Sequence, residues 1–275
     1  MRITAKTRLL AVIGNPIEHS MSPVIHNAAL KAAGLDYVYV AFRVEKIEEA
    51  VTAMRALGIR GFSVTIPHKE TIIPHLDRLE LSAEQTGSVN TVVNENGVLT
   101  GASTDGPGAL AALERAGLSV TGKKILLIGT GGAARAIAFA AGNAGAGKIG
   151  FRYEIREQAD RLVRDLEAAF PGRITLNAPL EEADILINAS PVGMHPRVED
   201  CPIDPASLSP EQVVFDIVYN PLRTRLLREA EARGCRTIEG VEMFAEQAIL
   251  QFEMFTGKEA PRDLMRSTVR RALAQ

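Results

Sequence analysis

Five short stretches of this chain carry residue types whose spacing suits chemistry. The first is Gly129-Thr130-Gly131-Gly132-Ala133-Ala134, which follows the apolar run Ile125–Ile128 and opens an alanine-rich segment of helical propensity. Strand, tight turn and helix in that order is the setting of a dinucleotide-binding loop. Gly129 makes the turn, Gly131 admits a pyrophosphate to the backbone, and Ala134 fills the third position, where a small residue lets helix and strand pack closely. The helix start then offers N–H groups and a positive dipole end to phosphates. A ligand-free tight turn in a parallel sheet uses the same residues, so the loop alone does not decide.

The second is Lys69, just past the apolar run Gly61–Ile66 and the stop at Pro67, with Thr65 on the same rim. A lysine there is a cation and a proton donor; the plain alternative is a solvated surface lysine. The third is Ser20 and Ser22, on the loop after Leu9–Ile13, where two hydroxyls suit a carboxylate or a polyol. Ser22 before Pro23 is also a natural helix N-cap. The fourth is Asn90 and Asp105, next to strand ends, where backbone satisfaction and capping of a helix at Pro107 are equal alternatives. The fifth is Gln247. Met243, Phe244, Gln247, Ala248, Gln251, Phe252 and Phe255 recur at helical spacing, and Gln247 reads as the polar interruption of an apolar stripe. A buried glutamine needs partners, so either that helix edge is wet or the amide meets a ligand.

The elements that must position these residues follow from periodicity and turn signals. Strands are expected at Leu9–Ile13, Tyr37–Val44, Gly61–Ile66, Gly87–Val93 and Val98–Leu99, the last pair joined by the hairpin signal Asn96-Gly97. Helices are expected from Pro23 to Gly34, Glu45 to Leu57 and Pro107 to Ala116. A second set of strands comprises Lys123–Ile128, Lys148–Glu154, Asp184–Ala189, Val213–Tyr219 and Thr237–Glu239, with helices after Gly132, at Ala159–Ala169, at Thr224–Arg233 and in the last part of the chain. Strands alternating with helices imply parallel sheets covered by helices. The simplest reading is two α/β domains with a cleft between them, the second carrying the dinucleotide loop of a Rossmann-type sheet. Near the end of a Rossmann second strand an acid holds the ribose hydroxyls of NAD, whereas an arginine takes the 2′-phosphate of NADP. Glu154 flanked by Arg152 and Arg156 is a mixed signal.

Composition narrows the partners. The 275-residue chain has a net charge of −2 with acids and bases interspersed, which points to neither nucleic acid nor an anionic membrane. Its apolar runs are far shorter than a membrane span, and its start lacks the apolar core of a signal peptide. Cys201 and Cys235 have no metal or redox spacing, and the five histidines form no array. No metal is expected, and a reducing cytoplasm is the expected location.

Over essentially its whole length the chain resembles the shikimate dehydrogenase family. The matching stretches are Gly14-Asn15-Pro16-Ile17-Glu18-His19-Ser20-Met21-Ser22-Pro23, Ser63-Val64-Thr65-Ile66-Pro67-His68-Lys69, Val89-Asn90-Thr91, Thr104-Asp105, Gly129 to Arg135, Asn188-Ala189-Ser190, Asp216 with Tyr219 and Pro221, and Gly240 with Met243, Gln247 and Ala248. The resemblance implies that residues 1–105 with 242–275 bind substrate and that 106–241 bind the nicotinamide cofactor, NADP by family default. It implies that Ser20 and Ser22 hold a substrate carboxylate, that Tyr219 contacts it, and that Thr65, Asn90, Asp105 and Gln247 hold ring hydroxyls. Lys69 and Asp105 correspond to the catalytic pair, with Asp105 orienting Lys69. Gly129, Thr130, Gly131, Gly132, Ala133, Arg152, Glu154, Ile217 and Gly240 are the implied cofactor contacts. The implied reaction is reversible reduction of 3-dehydroshikimate to shikimate, in aromatic amino-acid biosynthesis. The family includes monomers and dimers, so a homodimer is compatible.

Two departures stand out. Ser63 occupies a position where the family often has Asn, and its hydroxyl is expected to face the substrate region or a water. Tyr153-Glu154-Ile155 aligns with the Asn-Arg-Thr of NADP-using members, and a carboxylate repels a phosphate dianion; this keeps NAD and an NAD-dependent quinate/shikimate dehydrogenase as the alternative. A catalytically silent nicotinamide sensor would not need both Lys69 and Asp105. A two-domain dehydrogenase for a folate or an amino acid fits the paired serines and the Asn90, Asp105, Gln247 set less well than a polyhydroxylated ring acid does.

Overall fold

The computed structural model describes residues 3–274. The chain forms two compact units, residues 1–104 with 245–275 and residues 105–244. The first begins with β1 (Arg8–Gly14), α1 (Ser22–Ala32), β2 (Tyr37–Arg43), α2 (Ile47–Ala56) and β3 (Gly61–Val64). It continues with short elements not expected from periodicity, α3 (His68–Thr71), β4 (Arg78–Leu79) and α4 (Leu81–Thr86), then β5 (Thr91–Glu95) and β6 (Val98–Ala102). The strand order is β2-β1-β3-β5-β6-β4. β1 is parallel to both β2 and β3, but β5 is antiparallel to β3 and to β6. The sheet is therefore mixed rather than parallel. The hairpin accounts for the β5–β6 pairing: Asn96 and Gly97 take φ of 55° and 92°, and a two-residue turn joins only antiparallel neighbours.

The second unit starts with α5 (Asp105–Arg115) and β7 (Lys124–Ile128). There follow α6 (Gly132–Asn143), β8 (Lys148–Arg152), α7 (Arg156–Ala169), β9 (Ile174–Leu176), β10 (Ile185–Asn188), β11 (Val213–Asp216), α8 (Arg225–Ala232) and β12 (Arg236–Glu239). Every pairing in this sheet is parallel. Its order, β12-β11-β10-β7-β8-β9, is that of a Rossmann sheet, with the topological switch between β7 and β10. The three-residue strand β9 is too short to have shown in the sequence pattern. One core joins Leu127, Ile137, Phe151, Leu166 and Phe215 across the sheet and its helices. α5 packs on α6 at a distance that only glycine allows: a Cβ at Gly106 would lie 2.3 Å from the Ala136 carbonyl oxygen.

The chain closes with α9 (Gly240–Thr256) and α10 (Arg262–Leu273), and the boundary between the units falls inside α9. In the first unit, Ala11, Ile13, Phe62 and Val64 turn to Ile47, Val51 and Met54 of α2. The alternate residues face the other way. Gly61 lies against the Phe255 ring, and Ser63 meets Gln251, both on α9. Burying Phe255 completely stabilises this layer by about 2–3 kcal/mol. Glu246, buried on α9, is held by Arg266 Nε at 3.0 Å, which fixes α10 to it. No helix among the described residues is long and apolar enough to cross a membrane.

Candidate active site

In the first unit the candidate residues gather where β1, β3 and β5 approach one another. A Cβ on Gly14 would lie 2.5 Å from Thr65 Cγ2, so glycine lets the end of β1 press against the chain after β3. Thr65 N–H donates to the Ile13 carbonyl at 3.0 Å, and Asn15 N–H to the Ile66 carbonyl at 2.9 Å. Val64 N–H donates to the Asn90 carbonyl at 2.8 Å, and Val89 N–H to the Lys69 carbonyl at 2.8 Å. Thr65, Lys69 and Asn90 are thereby fixed by backbone bonds on one rim; Thr65 and Lys69 are half-buried and Asn90 is buried.

Ser20 and Ser22 lie beside this rim, but Ser22 is not a cap. Helix α1 begins at Ser22 itself, and Met21 occupies the cap position with no side-chain bond. Ser20 Oγ instead accepts the Ser22 N–H at 3.3 Å. Ser22 is buried and its hydroxyl reaches the phenol of Tyr39, whose pKa burial drives above the usual tyrosine range. Ser63 also departs from expectation. The residue is 5 % exposed and its hydroxyl lies between Tyr39 Oη at 2.6 Å and Gln251 Oε1 at 2.7 Å; it belongs to the interior rather than to the substrate region.

Asn90 Oδ1 accepts from Thr104 N–H at 2.8 Å and from Thr91 Oγ1 at 2.8 Å, while Asn90 Nδ2 donates to Thr104 Oγ1 at 3.0 Å. Thr104 Oγ1 reaches the Gln247 carbonyl at 3.2 Å. Gln247 is half-buried, whereas Gln251, one turn along α9, is the glutamine sealed in the interior. A half-buried Gln247 fits a wet helix edge, while Gln251, which the stripe does not distinguish from it, faces the core: period alone cannot tell which of two polar residues a turn apart does so. Asp105 is buried and is the first residue of α5 rather than a cap before Pro107.

In the second unit Gly129, at φ 104°, turns the chain at the end of β7, and a Cβ there would meet the Ala189 carbonyl oxygen at 3.0 Å. A Cβ on Gly131 or Gly132 would meet nothing within 4 Å. Protein packing does not require glycine at those two positions; they leave open the space in front of α6, whose cap residue Gly131 has no side chain to occupy the helix-start N–H groups. Beside this loop a cavity of about 380 Å³ is lined by Gly129, Thr130, Gly131, Arg152, Glu154 and Ser190, among others. The lining combines open glycine backbone, the approach to a helix start and the charged side chains Arg152 and Glu154 after β8, a combination that fits a dinucleotide. Ala133 is half-buried in the first turn of α6. Arg156 is exposed and bound to Asp160 at 3.0 and 3.1 Å, so Arg152 is the arginine that lines the cavity with Glu154.

Asp216, fully buried at the end of β11, organises the neighbouring loops. It accepts from Asn188 Nδ2 at 2.9 Å, Val218 N–H at 3.0 Å and Thr224 Oγ1 at 2.6 Å. Burial pushes its carboxyl up to about 6, against the pull of those donors. Asn188 Oδ1 in turn accepts from Ser190. Tyr219 is half-buried with its ring 4.9 Å from Phe244, and burial raises its phenol pKa. A Cβ on Gly240 would lie 2.4 Å from the Val218 carbonyl oxygen, so glycine is needed for the start of α9 to pass Ile217 and Val218.

A Rossmann unit with a glycine loop at its switch point, joined to a second α/β unit carrying a polar rim with a lysine, defines a dinucleotide-dependent oxidoreductase of the two-unit type. Residues 12–92 match the profile of the shikimate dehydrogenase substrate binding domain, and residues 240–270 that of the shikimate 5′-dehydrogenase C-terminal domain. A shikimate dehydrogenase (NADP(+)) of Moorella thermoacetica is 42% identical over 99% of this chain and 96% of its own length. A crystal structure of a shikimate dehydrogenase in complex with NADP+ superposes with a TM-score of 0.95 at 37% identity, covering 100% of this chain and 98% of that one. A shikimate 5-dehydrogenase from Listeria monocytogenes, in complex with shikimate and NAD, gives 0.93 at 38% identity with 98% of each chain covered. The chain belongs to the shikimate dehydrogenase family.

Proposed function

We propose that this protein is an NADP-dependent shikimate dehydrogenase, interconverting 3-dehydroshikimate and shikimate in the cytoplasm as a step of aromatic amino-acid biosynthesis. The observation that carries the reading is the open glycine loop at the switch point of a Rossmann sheet in a chain that belongs to this family. In the first unit Ser20 and Ser22 take the carboxylate of the ring acid and Thr65, Asn90 and Gln247 its hydroxyls; in the second unit Tyr219 serves the carboxylate and Asp105 a hydroxyl. Gly129, Thr130, Gly131, Gly132 and Ala133 hold the pyrophosphate, Ile217 and Gly240 border the nicotinamide, and Arg152 holds the 2′-phosphate. Bound there, the dinucleotide supplies the hydride that reduces the ring carbonyl. Lys69 gives the proton to the forming alkoxide oxygen and, in the oxidative direction, takes it back; its charge also stabilises the oxyanion. Asp105 is the second member of the catalytic pair.

Glu154 favours a second reading, an NAD-dependent quinate/shikimate dehydrogenase, because a carboxylate on the cavity wall suits ribose hydroxyls and opposes a phosphate dianion. Initial rates of shikimate oxidation with NADP and NAD side by side, followed by nicotinamide absorbance, decide between them. A large preference for NADP supports the first reading. Preference for NAD with turnover of quinate supports the second, and no turnover with either cofactor refutes both. A homodimer is the assembly to test by light scattering, since β2 is an edge strand with Phe42 exposed.

A further inference from the structure

We propose that Asn27 is a positioning residue: from within α1 it ties the first turn of that helix to the edge strand β2 and so sets where Ser20 and Ser22 stand. The proposal deepens the reading above and rests on those two hydroxyls taking the carboxylate of the ring acid. β2 lies at the edge of its sheet, with β1 on one side. On the other side, at Tyr39, the Asn27 amide takes the place of a neighbouring strand. Its Oδ1 accepts the Tyr39 N–H at 2.9 Å, and its Nδ2 donates to the Tyr39 carbonyl at 2.7 Å. The same Nδ2 donates to the Pro23 carbonyl at 2.9 Å, one turn back along α1 and next to Ser22. The sense of the amide follows from its partners. A backbone N–H only donates and a backbone carbonyl only accepts, so the oxygen faces the first and the nitrogen the other two. Both amide protons are thereby committed, one to β2 and one to the helix start.

The helix cap offers no such tie. Met21 at the cap position makes no side-chain bond, and Pro23 has no N–H to give. Ser20 Oγ accepts the Ser22 N–H at 3.3 Å, but that bond joins one serine to the other and neither to the sheet. Two further contacts of α1 fall on the same residue of β2. The His26 ring stacks on the Tyr39 ring at 4.3 Å with the planes 4° apart, and the Ser22 hydroxyl reaches the Tyr39 phenol. Tyr39 Oη is itself held 2.6 Å from Ser63 Oγ on β3. Tyr39 is thus the post on which the first turns of α1 rest, and Asn27 supplies the grip on its backbone. Lys69 is placed by a separate bond, from Val89 N–H to its carbonyl at 2.8 Å. Loosening α1 therefore displaces the two hydroxyls and leaves the proton donor where it is, so the effect falls on binding and not on chemistry.

The test is a mutant cycle run on the full chain with shikimate. Asn27→Ala is expected to raise KM for shikimate about tenfold, the lower end of what one charge-assisted hydrogen bond contributes, with kcat and the cofactor KM changed less than twofold. In a background carrying both Ser20→Ala and Ser22→Ala, Asn27→Ala is expected to raise KM no further, because the changes remove one interaction. An increase as large in that background as in the wild type would make Asn27 a packing residue and overturn the proposal, as would an unchanged KM in the single variant. Hydrogen exchange of the wild type carries the test should Asn27→Ala fail to fold. Coupling between the carboxylate and the Asn27 grip is reciprocal, so saturating shikimate is expected to slow exchange of the Tyr39 amide about fivefold more than that of the β6 amides. Equal slowing of both would overturn the proposal. Absence of shikimate turnover by the wild type, or an unchanged KM in the paired serine variant, would instead overturn the functional reading on which it rests.

Discussion

Asp216 gives the second unit a pH dependence opposite to that of an ordinary surface carboxylate. It is fully buried and accepts three hydrogen bonds, yet burial outweighs them and raises its carboxyl from the ordinary 3.8 to about 6. The folded state thus binds a proton more tightly than the unfolded chain between pH ~4 and ~6. Stability contributed by that proton is fully present below about pH 4 and is lost as pH rises through about 6; the gap corresponds to about 3 kcal/mol. Asp216→Asn removes the titration. An asparagine oxygen still accepts from Asn188 and Val218, both of which meet Oδ1. The Thr224 hydroxyl, which donates to Oδ2 while its oxygen accepts the Leu227 N–H, loses its acceptor, at a cost of about 1 kcal/mol. The assay is hydrogen exchange of the amides of Val213–Asp216 from pH 4.5 to 7.5, corrected for intrinsic rates, in wild type and variant. The wild-type opening free energy is expected to fall relative to the variant by about 2 kcal/mol across that range, the part of the full gap that lies above pH 4.5. A constant difference would refute the reasoning, as it would mean that Asp216 is ionised in the folded state throughout.

Four further outcomes follow from the same geometry. His26, buried and stacked at 4.3 Å on Tyr39, has its pKa driven down to about 3 by desolvation, with Gln251 pulling the other way; its neutral form stabilises the first unit fully above pH ~6.5, and about 5 kcal/mol of that is lost as pH falls towards 3, so His26→Phe should flatten the acid limb of thermal unfolding. Lys69→Ala is expected to lower kcat by about 10²–10⁴-fold, the range of general acid–base catalysis, with little change in shikimate binding measured by calorimetry; near-normal turnover would remove Lys69 from the acid–base role. Glu154→Ala, which takes the carboxylate off the cavity wall, should shift the ratio of kcat/KM for NADP over NAD upward by about tenfold, and an unchanged ratio would place the 2′-position elsewhere. Gly106→Ala forces a methyl to within 2.3 Å of the Ala136 carbonyl oxygen and should destabilise the second unit by about 1–3 kcal/mol in urea unfolding.

What the chain declared on its own was local. The turn at Gly129, the apolar strand before it and the helix after it lie within one short span, and their order states a binding loop because strand period, glycine freedom and helix propensity are short-range properties. The hairpin at Asn96-Gly97 and the helix stops at Gly34 and Gly58 were legible for the same reason: each takes positive φ, which glycine and asparagine adopt most readily. Lys69, Asn90 and Asp105 could be named from their places at strand ends, but only as candidates, since capping and surface solvation explain such residues equally well.

Tertiary structure decided whatever depended on partners distant in sequence. The pairing of β5 with β3 turned an expected parallel sheet into a mixed one, and nothing within β5 encodes the direction of its neighbour. Ser22 looked like a cap until the fold brought Tyr39 to its hydroxyl. Gln251 looked like any other position of a helical stripe, and its partners Ser63, Asn90 and Thr91 lie some 160 to 190 residues away. A polar side chain's role is set by which donors and acceptors surround it after burial. Those neighbours are chosen by packing of the whole unit, so the sequence specifies them only through the completed fold.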